Sequence, residues 1–113
     1  MKSGNFPRRG EVFWISLDPS LGTEINKIRP CLIISNNTAN QFSKQVIMVP
    51  LTSSIKAVQI FEVKVEIAKK PGKVLPQQVR AVDKVRIGKK IGALTSQEME
   101  QVDKALKVVL ALP

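Results

Sequence analysis

Two short apolar runs in this chain each carry, at one end, groups that can handle a phosphate. The first, Arg29-Pro30-Cys31-Leu32-Ile33-Ile34-Ser35-Asn36, opens with a guanidinium. The second, Val46-Ile47-Met48-Val49-Pro50-Leu51-Thr52-Ser53-Ser54, finishes in a cluster of hydroxyls. Runs this short and apolar suit central strands. Pro30 has no N–H to give to a ladder, so it fits the first position of a strand. Arg29 then stands at one strand's entrance and Thr52 at another's exit, and in a small closed sheet such ends meet. Arginine's planar fork matches phosphate oxygens, and a hydroxyl adds a hydrogen bond to the same oxygens. Phosphate chemistry is the expectation.

The rest of the composition narrows that chemistry. Histidine and tyrosine are absent, and the one cysteine, Cys31, lies inside an apolar run. A zinc site or a Cys–His nucleophile therefore lacks its ligands, and Cys31 reads as an inert buried thiol. The nine acidic residues are scattered, with no close carboxylate set to hold two magnesium ions. No glycine-rich loop offers to cradle a nucleotide triphosphate. No metal or cofactor is expected. One phosphoryl route survives, because ribonucleic acid carries its own nucleophile. A protein can cleave it by aligning the 2′-hydroxyl with the adjacent phosphate and stabilising the charge that develops.

Charge points to the same partner class. The 113 residues carry a formal charge of +9. Residues 1–94 hold sixteen Lys/Arg against six Asp/Glu, a balance of +10, and residues 95–113 hold two against three, a balance of −1. The excess sits on the body of the molecule and favours a polyanion, with nucleic acid first. The length allows one domain, 1–113, with a core of its own. Residues 1–10 lack the apolar stretch of a signal peptide, and no apolar run approaches a membrane span. A cytoplasmic protein without membrane contact is expected.

The elements that must position Arg29 and Thr52 are short. Glu11 to Leu17 favours a strand, and Asp18-Pro19-Ser20-Leu21-Gly22 punctuates it as a turn. Asn36, Asn37, Asn40 and their neighbours connect the two apolar strands. Phe61, Val63, Val65 and Ile67 alternate with Glu62, Lys64 and Glu66, the pattern of a half-buried antiparallel strand. Lys69 to Lys73 reads as its turn, Val74 to Val79 as a returning strand in which Pro76 forces an edge position or a bulge, and Arg86 to Leu94 as a last strand. Thr95-Ser96-Gln97-Glu98 is a capping box. Behind it Met99, Val102, Leu106, Val109 and Leu110 recur at helical spacing. Five or six strands and one amphipathic helix indicate a mainly β (α+β) fold, a small curled antiparallel barrel with the helix packed on it.

Five segments, in order, resemble the MazF/PemK-type endoribonuclease toxins: RGEVFWISLDPSLGTE (Arg9 to Glu24), RPCLIISNN (Arg29 to Asn37), VIMVPLTSS (Val46 to Ser54), QVRAVDKVRIGKKIGALT (Gln78 to Thr95) and EMEQVDKALKVVL (Glu98 to Leu110). The resemblance implies an SH3-like, CcdB/PemK-like barrel that forms a homodimer. It implies metal-independent cleavage of single-stranded RNA to a 2′,3′-cyclic phosphate and a 5′-hydroxyl, under the control of a cognate antitoxin. It places catalysis on Arg29 and Thr52, and sets Glu24, Ser53 and Gln78 along the RNA groove. Because arginine stays charged at ordinary pH, we expect Arg29 to stabilise the phosphate and protonate the leaving group. Thr52 would hold a nonbridging oxygen, and Glu24 would accept the 2′-hydroxyl proton. Lys27, Asn36, Ser53, Gln78, Arg80 and Arg86 make up the candidate RNA contacts. Lys84, Lys89 and Lys90 read as a charge run on a solvated face. The antitoxin should present an acidic, partly disordered segment. The chain departs from the family in having Pro76-Gln77 where many relatives have an acidic residue before the glutamine. A barrel that traps gyrase, and a nucleic-acid-binding barrel without catalysis, are the rival readings.

Overall fold

A computed structural model describes residues 5–17, 27–56 and 58–113. Among these residues seven strands and two α-helices follow one another as β1 (Glu11–Ser16), β2 (Ile28–Ile33), α1 (Asn37–Phe42), β3 (Gln45–Thr52), β4 (Val63–Ile67), β5 (Lys70–Val74), β6 (Arg80–Asp83), β7 (Ile87–Ala93) and α2 (Ser96–Val109). Single 3₁₀ turns at Pro76–Gln78 and Lys84–Arg86 flank β6. All pairings are antiparallel, in the order β4-β5-β3-β2-β1-β7, and β6 adds to β3.

β3 organises this sheet because it has two partners along one edge. Residues 45–48 pair with β6 and residues 51–52 pair with β5, while residues 48–50 pair with β2 on the other side. Pro50 falls where the edge passes from β6 to β5, so its missing N–H costs no bond in either ladder. Its carbonyl still accepts from Leu75 N at 2.9 Å.

Alternation along the strands divides the core in two. One layer contains Val12, Leu32, Val49, Leu51, Val63, Val65 and Val74, and α2 closes it with Val102 and Ala105. The other contains Phe13, Ile15, Cys31, Ile33, Val46, Met48 and Val82. The apolar stripe of α2 runs through Met99, Val102, Ala105 and Leu106, whereas Leu110 is 47 % exposed, beyond the expected end of the buried stripe. The capping box is present: Glu98 N donates to Thr95 Oγ1 at 3.1 Å and Thr95 N donates to Glu98 Oε1 at 2.9 Å. No helix among the described residues is long and apolar enough to cross a membrane.

Three expected elements lie differently. The β4–β5 turn is Ala68-Lys69, both at positive φ, because Ile67 already pairs with Lys70. Positive φ at both positions is the geometry of a two-residue hairpin turn. Pro71, Gly72 and Lys73 are therefore strand, and Gly72 suits the close approach there: a Cβ on it would lie 3.0 Å from the carbonyl oxygen of Thr52, tighter than ordinary contact. The returning strand ends at Val74, and Pro76 opens a 3₁₀ turn rather than continuing it. The connection after β2 folds into α1, whose cap is Asn36, accepting from Ala39 N at 2.8 Å. The turn expected at residues 18–22 lies outside the described residues.

Candidate active site

The cleft grows out of the second core layer. Cys31 faces Pro50 across β2 and β3, and extending that register by two residues sets Arg29 opposite Thr52. Side chains two residues apart on a strand share a face. Arg29 is therefore on the face of Cys31, and Thr52 on the face of Met48 and Pro50. Arg80, opposite Met48, joins them. On the far side Lys73 is opposite Thr52. The strand pattern that buries Cys31, Met48 and Val82 thus continues outward as a ring of polar groups.

That ring lines an open cleft of about 600 Å³. Lys27, Arg29, Lys73 and Arg80 contribute positive charge, Glu62 the negative charge, and Thr52, Ser54, Gln77 and Gln78 neutral polar groups. Leu17 and Leu75 supply its apolar patches. Arg29 is exposed and takes part in none of the ion pairs among the described residues. Thr52 Oγ1 accepts from Ser54 N at 3.2 Å, which leaves its O–H to donate to a ligand oxygen. Arg29, Thr52 and Lys27 also line a second groove of about 450 Å³ with Trp14, Pro30 and Ser53. The two depressions share these three residues as a common ridge.

Below the cleft lies a buried ion pair. Lys73 Nζ is 2.8 Å from Glu62 Oε1, with side-chain exposures of only 10 % and 5 %. The Glu62 carboxylate also accepts from Gln59 N at 2.9 Å and from Gln77 Nε2 at 2.9 Å, and Lys73 donates to Lys56 O at 3.1 Å. The Gln59 N–H, followed by the Lys73 ammonium, holds the carboxyl down at about 2. Burial raises the Cys31 thiol to about 12 against the opposing pull of Arg80 and Arg29. Cys31 is consequently a packing residue with no thiolate at neutral pH.

Of the residues expected from sequence, the structure brings Arg29, Thr52, Lys27, Gln78 and Arg80 into one cleft and sets Ser53 in the adjoining groove. Two are placed elsewhere. Asn36 lies at the opposite end of β2 from Arg29, where its side chain is committed to capping α1. Arg86 is not among the cleft's lining residues; its guanidinium reaches back to Ser16 O at 3.5 Å, tying β7's entrance to β1. Glu24 lies outside the described residues. Arg80 has a structural bond besides its place in the cleft, to Leu17 O at 3.3 Å. Sequence reasoning missed Glu62, Lys73 and Gln77. Alternation assigned Glu62 to the solvent face, and the Pro71-Gly72 pair disguised Lys73 as a turn residue; the signal was the pairing of Glu62 with a lysine eleven positions later in a hairpin.

Comparison with known proteins identifies the family. Residues 8–110 match the profile of the PemK-like, MazF-like toxins of type II toxin–antitoxin systems. Over 83 residues the chain is 39 % identical to the endoribonuclease MazF of Staphylococcus epidermidis, covering 68 % of each chain. Among solved structures it is similar to a mycobacterial endoribonuclease in complex with its cognate antitoxin, at TM-score 0.79 and 28 % identity, over 95 % of this chain and 97 % of the other. It is also similar to a MazE–MazF structure from Deinococcus radiodurans, at TM-score 0.82 and 25 % identity, over 95 % and 97 % of the two chains. With nearly its whole length inside the family profile and the strand ends converging on one basic cleft, this chain belongs to the PemK-like, MazF-like toxins of type II toxin–antitoxin systems.

Proposed function

We propose that this chain is a single-domain endoribonuclease toxin that cuts single-stranded RNA without a metal or cofactor. The observation that carries the reading is the convergence of Arg29 and Thr52 on one cleft ringed by Lys27, Lys73 and Arg80. The RNA 2′-oxygen attacks the adjacent phosphorus, the bond to the 5′-oxygen breaks, and the products are a 2′,3′-cyclic phosphate and a 5′-hydroxyl. Arg29 binds the phosphate as negative charge builds on its oxygens, and donates to the departing 5′-oxygen. Thr52, whose oxygen already accepts from Ser54 N, directs its proton to a nonbridging oxygen. Glu24 takes the proton of the 2′-hydroxyl. Preorganised donors of this kind contribute most where charge develops, and they need no rearrangement during reaction.

The same charge makes the toxin controllable. A cognate antitoxin with an acidic, partly disordered segment folds over the basic cleft and excludes RNA by occupancy and repulsion together. The toxin acts as a homodimer in the cytoplasm. Incubation of the purified chain with a long single-stranded RNA in EDTA, followed by end-group analysis, tests the reading. Fragments bearing 5′-hydroxyl ends are the expected result. Salt-sensitive binding without scission, or gyrase-dependent DNA breakage instead, overturns it.

A further inference from the structure

Gln77 is exposed at the rim of the cleft, yet its amide is not free to turn. Its Nε2 donates to Glu62 Oε2 at 2.9 Å, and Glu62 is itself fixed on its other oxygen by Gln59 N and Lys73 Nζ. An ionised carboxylate offers acceptors only. The amide nitrogen of Gln77 must therefore face Glu62, because the reversed amide would set two oxygens against each other. One N–H is consumed, and a ligand meets the carbonyl oxygen and the remaining N–H in a fixed order.

A glutamine amide is well matched to a base edge that places a donor beside an acceptor. Unstacked bases of single-stranded RNA are read on such edges. An amide that turns freely accommodates either polarity: an amino group next to a ring nitrogen, as in adenine and cytosine, or a carbonyl next to a ring N–H, as in uracil and guanine. A locked amide discriminates between them. We propose that Gln77, held by Glu62, reads one base of the RNA bound in this cleft, with Glu62 as the positioning residue. The inference rests on the reading of the cleft as an RNA site.

The test measures kcat/KM of the full chain on single-stranded RNAs randomised around its cleavage motif, position by position. The wild type is expected to discriminate by about tenfold or more at the position that Gln77 reads. Gln77→Met keeps the length of the side chain and removes the amide. Glu62→Gln puts in a group that both donates and accepts, so Gln77 is free to turn. Both variants should bring the ratio towards one, at the same position of the motif. Because Gln77 is exposed, Gln77→Met decides the matter even if Glu62→Gln fails to fold. Glu100→Gln, on an exposed part of α2, is the charge-matched control and should keep the wild-type ratios. Unchanged ratios in Gln77→Met, an equal loss on every RNA, or relaxation at different positions in the two variants overturns the proposal and leaves RNA cleavage standing. Absence of cleavage by the wild type overturns the reading of the cleft itself.

Discussion

The two core layers flanking β1, β2 and β3 end in different ways. The layer containing Val12, Leu32 and Val102 is closed by α2 and made almost wholly of aliphatic side chains. The layer containing Cys31, Met48 and Val82 is left open at one end, where the same strand faces continue to Arg29, to Thr52 beyond Pro50, and to Arg80. The same two-residue period produces both. What differs is whether the strand keeps apolar residues to its tip, and that decides whether a layer is sealed or opens into a cleft.

Substitutions on the two layers should separate these roles. The largest expected effect is at the open end: Arg29→Ala should lower RNA cleavage by about 10³-fold, with an unchanged circular dichroism spectrum because the residue is exposed. Arg29→Lys should recover RNA binding more than rate, since the ammonium lacks the planar fork. At the closed layer, Leu32→Ala removes a fully buried side chain and should cost about 3 kcal/mol of stability by urea unfolding. Its cleavage rate under native conditions should stay near wild type. A large rate loss there would erase the distinction between the layers.

Smaller effects sharpen it. Thr95→Ala breaks the capping box of α2 and should cost about 1 kcal/mol, with no change in base preference. Glu62 gives a pH signature to the open end alone. Its folded-state carboxyl lies below its ordinary value of 4.5, at about 2. The unfolded chain therefore binds that proton first as acid is added. The stabilisation from Glu62 is complete above about pH 4.5 and is lost as pH falls from there towards about 2. Unfolding followed across that window should show a component that Glu62→Gln removes; an identical acid profile in the variant would count against the buried pair.

Much of this arrangement was legible from residue order. β1, β2, β3 and the capped α2 follow from apolar runs and the Thr95/Glu98 spacing, and the meeting of Arg29 with Thr52 follows from treating the two runs as paired strands. The β4–β5 hairpin was harder to read. Its turn uses Ala68 and Lys69, neither a usual choice for positive φ, while Pro71-Gly72 imitates a turn from inside a strand. Gly72 answers a tertiary demand, the close approach of Thr52's backbone, that no local pattern announces. β6 is four residues between two 3₁₀ turns, too short for its alternation to register. The capping role of Asn36 is not legible in sequence, because a polar residue at a strand's end serves a phosphate or a helix cap equally well and α1 is only six residues long.

The divided edge of β3 has a bearing on when the cleft can form. Arg29 and Thr52 both precede residue 53, yet the strands that wall them in, β5 and β6, come from residues 70–74 and 80–83. The cleft around Arg29 and Thr52 is therefore complete only when the chain has folded through residue 83, so a groove opened by early strands takes its walls from late ones.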